Sequence, residues 1–160
     1  YSPLIVSASA SEQFSCVLLR VAGANLQIEG ASANGSSVNS NPPLEALSSG
    51  FARDVLWIAA RSGDSTVVAT AAPAGYVNLQ SRAASSTAGA STNSAERLRN
   101  AASEDPGSFT SASEQWVCWT LAVSESAGVA VYRGGAGKAA TYLGSRSDAL
   151  LYRGAGQLWP

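Results

Sequence analysis

Apolar residues along the chain occur in short runs, most of which have the length and composition of β-strands. In the run Gln115–Ser124, large apolar side chains occupy both alternating sets of positions. A period of two with apolar groups on both sides is typical of a strand in a sheet that is covered on both faces. Five further runs, rich in β-branched and aromatic residues, also predict strands: Phe14–Gly23, Val55–Gly63, Ser65–Pro73, Gly75–Ser81 and Ser108–Thr110.

The segment Ser94–Asp105 has features of both a helix and a strand. Ser94 could cap a helix, and the residues that follow it favour helix formation. Leu98 is its only large apolar residue, however, so a helix would have no apolar stripe to bury. We therefore expect a strand or loop here, followed by a turn at Asp105–Gly107. Linkers rich in Gly, Ser, Asn and Pro are expected at Ala31–Pro43 and Ser85–Ser94. The predicted class is all-β, an antiparallel β-sandwich of jelly-roll or immunoglobulin-like type.

One octet occurs twice, as SASEQFSC at Ser9–Cys16 and as SASEQWVC at Ser111–Cys118. We interpret the two copies as the closing strands of two equivalent β units. Few residues precede the first copy, and the sequence does not begin with Met, so two expectations stay open: most of the first unit lies upstream of Tyr1, or the chain has one unit and retains only the last strand of the other. Cys16 and Cys118 occupy the same place in the octet and are expected to be small buried apolar residues. A disulfide between them is the alternative, and it would require the two strands to lie side by side.

The C-terminal part contains a shorter repeat of ten residues. Each unit opens with x-Tyr-x-Gly, which predicts a short strand and a tight turn. We therefore divide the chain into a β-sandwich, residues 1–126, and a β-meander tail, residues 127–160, that serves docking or interaction. So short a meander cannot bury all its aromatic side chains, so these are candidate contacts for a protein or glycan partner, with stacking inside the tail as the alternative. The candidates are Tyr132, Tyr142, Tyr152 and Trp159.

Charge and composition narrow the possible functions. The formal net charge is −1 and only 13% of the residues are charged, so the chain has no field that would attract nucleic acid. No apolar run is long enough for a membrane span, and the segment after Tyr1 does not have the pattern of a signal peptide. We therefore expect neither nucleic-acid binding nor membrane insertion.

The sequence contains no convincing catalytic motif. It has no histidine, so the commonest general base and the commonest metal ligand are both missing, and we expect no metal and no cofactor. Gly134–Ala139 resembles a phosphate-binding loop but lacks the required first glycine and the final Ser or Thr. A pair of carboxylates about 5 to 10 Å apart across a cleft would be needed for glycoside hydrolysis. The sequence leaves that arrangement open, although solvated turn carboxylates are the simpler interpretation.

Several motifs in a fixed order resemble those of a family of β-rich virion proteins. The motifs are NPP at Asn41–Pro43, DVLWIAA at Asp54–Ala60, PAGY at Pro73–Tyr76 and the long stretch Leu98–Val123. Such proteins are encoded by tailed bacteriophages and by phage-derived gene-transfer particles. The tandem Tyr-x-Gly units that end at Gln157–Pro160 are likewise similar to C-terminal segments of phage structural and fibre proteins.

The resemblance implies a non-enzymatic protein on the surface of a phage or phage-like virion, such as a head or tail fibre, a spike or a decoration protein. It implies contacts with other virion proteins, homo-oligomers, and recognition of host-surface polysaccharide or particle attachment. It assigns no catalytic residue. Three alternatives stay open: a ligand-free protein that stabilises the capsid or tail, a virion-associated polysaccharide-degrading enzyme, and a secreted carbohydrate-binding module.

Overall fold

The computed structural model describes residues 14–21, 26–84 and 89–125, together with four short strands in the C-terminal part. The chain divides into two compact units. The first comprises Tyr1–Val21 and Ile28–Ser124, and the second comprises Ala22–Gln27 and Glu125–Pro160.

The described residues contain strands, turns and irregular segments, and no helix. The first seven strands are β1 Leu26–Gly35, β2 Glu45–Ala46, β3 Arg53–Gly63, β4 Val77–Ala83, β5 Ser91–Ala101, β6 Ser103–Glu104 and β7 Trp116–Glu125. Five of them form one antiparallel sheet in the order β1-β7-β3-β5-β4, and β2 pairs with β6 in a separate ladder. The predicted all-β class is therefore confirmed.

Strand β3 lies at the centre of the sheet and divides its side chains between two faces. On the face that we call the core face, Trp57 lies between Arg97 of β5 and Ala122 of β7. Trp57 is fully buried. Residues from the connecting segments cover this face and complete the core: Leu47, Ala69, Tyr76 and Phe109.

The connecting segments are tied to the core face by hydrogen bonds from the sheet and from each other. Thr120 on β7 donates its hydroxyl hydrogen to the carbonyl of Pro43. The amide of Phe109 donates to the carbonyl of Ser40 at 2.8 Å, and the amide of Leu47 donates to the carbonyl of Ala102 at 2.9 Å. Because these bonds satisfy buried backbone groups, the segments that close the core remain irregular without leaving those groups unpaired.

Three parts of the sequence prediction for the sheet are confirmed. Val55–Gly63 lies within β3, Gln115–Ser124 nearly coincides with β7, and Ser94–Asp105 contributes to β5 and β6 rather than to a helix. Gly107 has a φ of 75°, which agrees with the predicted turn because glycine adopts this conformation without steric cost.

Several other parts are wrong. The predicted strand Phe14–Gly23 is irregular over its described residues 14–21. The predicted strands Ser65–Pro73 and Ser108–Thr110 contribute only an isolated bridge between Ala71 and Thr110. The predicted linkers overlap strands: Ala31–Pro43 begins inside β1, and Ser85–Ser94 ends inside β5. The described residues of the first octet, 14–16, are not a strand, so the two copies are not equivalent closing strands.

The cysteine prediction is correct for one residue and wrong for the other. Cys118 is fully buried, but Cys16 is exposed, and both thiols are free. Cys16 is exposed because residues 14–21 run over the sheet instead of forming an internal strand of it.

The C-terminal unit contains two antiparallel ladders of short strands. Strands β8 Ala130–Tyr132 and β9 Ala140–Tyr142 form one, and strands β10 Leu151–Arg153 and β11 Gly156–Trp159 form the other. Strand β9 also lies beside β10.

Candidate functional site

A groove of about 470 Å³ lies on the face of the sheet opposite the core. Residues 16–20 form one wall, and the other wall comes from Asn78, Gln80 and Arg82 on β4 and Glu96 on β5. The register places Gln80 opposite Ser94 and Arg82 opposite Thr92, so these side chains project from one face of the sheet. We call this feature the groove.

The first wall of the groove is attached to the sheet through Ser15. The hydroxyls of Ser15 and Thr92 lie 2.7 Å apart, and the hydroxyl of Thr92 also lies 3.3 Å from that of Ser62. These contacts join residues far apart in sequence and hold the start of the segment over strands β3 and β5.

The second wall of the groove presents side chains with planar polar groups. Asn78 has a φ of 54°, a conformation that asparagine tolerates better than most residues, and it lies where the pairing of β4 with β5 shifts register. Its side-chain amide donates to the Glu96 carboxylate. One guanidinium nitrogen of Arg82 donates to the carbonyl of Ser81 at 2.7 Å. Amide, carboxylate and guanidinium groups therefore line this wall together.

The first wall adds exposed aliphatic surface to these polar groups. Leu18 is 68% exposed and Leu19 is 39% exposed, although both are large apolar residues. Sites for small ligands and sugar-like molecules combine apolar surface with a few placed polar groups, and the volume of the groove lies within their usual range of roughly 300–1,000 Å³.

A buried ion pair lies on the core face of the sheet, next to the strand positions that carry Thr92 and Arg82 on the other face. Arg61 projects from β3 on the core face and is fully buried, and its guanidinium donates to the Glu114 carboxylate, whose side chain is 4% exposed. The hydroxyl of Ser65 donates to the other oxygen of Glu114 at 2.6 Å. Arg61 lies opposite Cys118 in the ladder. Burial raises the pKa of the Cys118 thiol to about 11, although Ser40 and Arg61 act in the opposite direction.

A second charged cluster fixes β6 and the ladder that it forms with β2. The Glu104 carboxylate accepts from Arg97 at 3.1 Å and from Arg99 at 2.7 Å, and its side chain is almost fully buried. Glu45 lies directly opposite Glu104 and is also buried. Burial is the main cause that raises the pKa of Glu45, and the negative charge of Glu29 adds to it.

Most carboxylates in the described part of the chain are engaged by neighbouring donors. In addition to the two clusters above, Glu29 accepts from the amide of Ser48 at 2.6 Å and from Arg53 at 2.9 Å. The main cause that lowers the pKa of Glu29 is the bond from the Ser48 amide. Glu96 is the one acidic residue among the described residues that line the groove, whereas glycoside hydrolysis needs a pair of carboxylates across a cleft.

The described residues contain no group of three or more His, Cys, Asp or Glu side chains placed to hold a metal ion. No described segment forms a helix that is long and apolar enough to cross a membrane.

The aromatic residues predicted as partner contacts lie in the C-terminal ladders. Tyr132 is paired with Ala140 and Tyr142 with Ala130, so the register places both tyrosines on one face of the β8–β9 ladder. Tyr152 is paired with Gln157, and Trp159 with Leu151, on either side of a register shift. The backbone therefore brings Tyr132 and Tyr142 to a common face, whereas Tyr152 and Trp159 belong to the other ladder.

The groove residues were missed by the sequence prediction. Asn78 and Gln80 have the composition of ordinary turn and strand positions, and Leu18 and Leu19 resemble core residues of a strand. Only the placement of residues 14–21 across the sheet brings them together.

The chain matches no protein-family model, and it has no significant similarity to a curated protein or to a solved structure.

Proposed function

We propose that this chain is a non-enzymatic structural protein on the surface of a phage or phage-like virion, where it contributes to recognition of host-surface polysaccharide. The observation that carries the glycan part of the proposal is the groove. Its wall of amide, carboxylate and guanidinium groups can exchange hydrogen bonds with sugar hydroxyls in both directions. The exposed Leu18 and Leu19 supply the apolar surface that a sugar ring covers with its C–H groups.

The virion location is supported by the motifs Asn41–Pro43, Asp54–Ala60, Pro73–Tyr76 and Leu98–Val123 of the resemblance. In the fold, the motif Pro73–Tyr76 forms a turn in which the amide of Tyr76 donates to the carbonyl of Pro73 at 3.0 Å and Gly75 has a φ of 79°. These residues help to close the core, so the resemblance rests largely on residues that determine the fold. One fold can serve several functions, so the virion location is tested on the particle itself.

A non-enzymatic role is supported by the engagement of the carboxylates. Arginine, serine, asparagine or backbone groups donate hydrogen bonds to most of the described carboxylates. Glu96 is the one acidic residue among the described residues that line the groove. That arrangement suits binding better than acid–base catalysis.

Homo-oligomers are part of the proposal because the sheet has open edges. Among the described strands, β1 and β4 are the outer strands of the five-stranded sheet. Strand edges with unpaired backbone groups favour pairing with another chain unless they are covered. The sandwich of jelly-roll or immunoglobulin-like type, and the tail at residues 127–160 as a docking segment, also belong to this proposal.

The glycan part is tested by binding of the full chain to immobilised host capsular polysaccharide. Asn78→Ala and Gln80→Ala remove two polar groups from the groove wall and are expected to weaken binding at least about tenfold, which corresponds to the loss of a good hydrogen bond. Asn100→Ala is the matched control, because Asn100 is an exposed amide on β5 that bonds Asp54 outside the groove. Equal binding by all three variants and the wild type would exclude the groove as the site.

The virion part is tested by purifying the particles that the encoding genome produces. The chain is expected to copurify in a stoichiometric ratio and to occupy a symmetry-related position in a reconstruction of the particle. Its absence from purified particles would refute the location and leave the secreted carbohydrate-binding module as the alternative.

A further inference from the structure

A second concavity lies where β3 ends and β7 begins. It is an open depression of about 290 Å³ lined by Ser62, Gly63, Asp64, Gln115, Trp116 and Val117. None of these residues lines the groove. The second octet, Ser111–Cys118, supplies half of them, and the function proposed above assigns them no role.

The indole of Trp116 is fixed in position by the backbone on either side of it. Trp116 lies opposite Gly63 in the ladder between β3 and β7. On the other side it covers Gly35 of β1, where an added Cβ would lie 2.6 Å from Cζ2 of the indole. The glycine therefore lets the ring lie directly on the β1 backbone. Trp116 remains half-exposed and contributes an aromatic wall to the depression.

Asp64 and Gln115 form the polar rim of the depression. The amide of Asp64 donates to the carbonyl of Gln115 at 3.2 Å, and the amide of Gln115 donates to Oδ1 of Asp64 at 3.2 Å. Both side chains are exposed. These bonds hold the two residues against each other and leave the side-chain amide of Gln115 and Oδ2 of Asp64 available beside the indole.

The buried ion pair supports this rim from below. Glu114 immediately precedes Gln115 and accepts from Arg61 and Ser65, so it joins the chain on both sides of Asp64. A Cβ on Gly63 would lie 2.5 Å from Nη2 of Arg61 and from the carboxylate of Glu114. Glycine at this position is what lets the pair sit directly under the depression. A rim that is held in this way loses little conformational entropy when a ligand binds.

We propose that this depression binds one pyranose ring of a glycan, with a C–H face of the sugar on the indole of Trp116 and sugar hydroxyls bonded to Asp64 and Gln115. The proposal rests on the glycan recognition proposed above and adds a subsite to it. An aromatic face beside a few convergent polar groups is a typical small-ligand surface. The volume is at the lower limit of such sites, so it suits a single ring better than an extended chain.

The subsite is tested with free sugars and the ¹⁵N-labelled full chain. Glucose, galactose, N-acetylglucosamine and glucuronic acid are titrated to millimolar concentrations while the indole N–H signal of Trp116 is followed, assigned through Trp116→Phe. At least one sugar is expected to shift this signal and the side-chain amide signal of Gln115 with one saturation curve. If no sugar shifts either signal, or if the shifts are confined to Asn78 and Gln80, the subsite is refuted.

Two variants connect the subsite to polysaccharide binding. Trp116→Ala is expected to weaken binding of immobilised polysaccharide at least about tenfold. Gln115→Ala changes an exposed side chain, so it keeps the fold and is expected to weaken the affinity for the free sugar by a similar factor. If both variants bind polysaccharide like the wild type while Asn78→Ala does not, the subsite is wrong and the groove stands. If the wild type binds no polysaccharide but the sugar titration saturates at Trp116, glycan recognition through the groove fails and the subsite stands.

Discussion

Replacing Glu114 by alanine should strongly destabilise the protein, because it would leave the guanidinium of Arg61 buried without its counter-ion. The Arg61 side chain is fully buried and that of Glu114 is 4% exposed, so water screens neither charge. Breaking a buried pair by removing one partner costs about 3–5 kcal/mol. Ser65 would lose its acceptor as well. Since domains of this size are stable by only about 5–15 kcal/mol, the loss would be a large part of the total.

The measurement is urea unfolding of wild type and Glu114→Ala, followed by far-UV circular dichroism at neutral pH. Asp54→Ala is the control, because Asp54 is an exposed carboxylate with an asparagine partner, and its loss should cost less than about 1 kcal/mol. A second variant, with Arg61→Met and Glu114→Leu together, removes both charges and should recover most of the loss, as apolar replacements of buried pairs do. A cost for Glu114→Ala no larger than that of the control would refute the assignment of a buried, unscreened pair.

Further predictions concern a turn, a titrating carboxylate and the two thiols. Gly107→Ala should lower the free energy of unfolding by about 1–2 kcal/mol in the same urea assay, because φ at this position is 75°. Nothing lies within 4 Å of the added Cβ, so the cost comes from the backbone conformation and not from a clash. An unchanged unfolding midpoint would contradict the left-handed turn. The pKa of Glu45 is raised in the folded state, so ionisation of this carboxyl destabilises the folded protein as pH rises. Glu45→Gln should therefore have a larger free energy of unfolding than wild type at neutral pH, and this difference should shrink as pH falls toward the ordinary pKa of glutamate. A difference that is the same at every pH would refute this. In the native protein, Cys16 should react at once with a maleimide reagent, whereas Cys118 should react only after unfolding. Mass spectrometry of the labelled peptides would measure both. Labelling of Cys118 before unfolding would contradict its burial.

The strands that could be predicted from sequence are those whose apolar pattern does not depend on a neighbour. Strands β3 and β7 carry apolar residues at both alternating sets of positions, so the pattern is strong in each strand alone. Strand β5 has few apolar residues. Some of its polar side chains bond to groups that only the fold brings near, such as the amide of Ala69, which donates to Oδ1 of Asn93 at 3.0 Å.

Strand β1 was missed because its sequence, LQIEGASANG, consists mainly of small and polar residues. The reason for those small residues lies on its neighbour β7. A Cβ on Gly30 would lie 2.6 Å from Cδ2 of Leu121, and one on Gly35 would lie equally close to Trp116. The large side chains of β7 thus occupy the space that β1 leaves. That complementarity becomes visible only when the two strands are placed together.

The groove could not be predicted because an apolar run does not specify what covers it. Residues 14–21 have the pattern of an internal strand, yet Leu18 is 68% exposed. The segment crosses the sheet and is attached through Ser15 and Thr92, two small polar residues with no distinctive sequence pattern. The same placement creates the groove, so the error in the strand and the missed site have one cause.

The repeated octet shows that the partner residues, rather than the octet itself, determine what its side chains do. In the second copy, Glu114 meets the guanidinium of Arg61, and Cys118 is fully buried beside the same arginine. In the first copy, the equivalent cysteine, Cys16, is exposed at the groove. The same cysteine in a nearly identical octet thus has opposite burial, because Cys118 lies on β7 beside the central strand, whereas the described residues 14–16 form no strand. The octet alone therefore does not determine whether its side chains are buried; in the second copy, the pairing of β7 with β3 does.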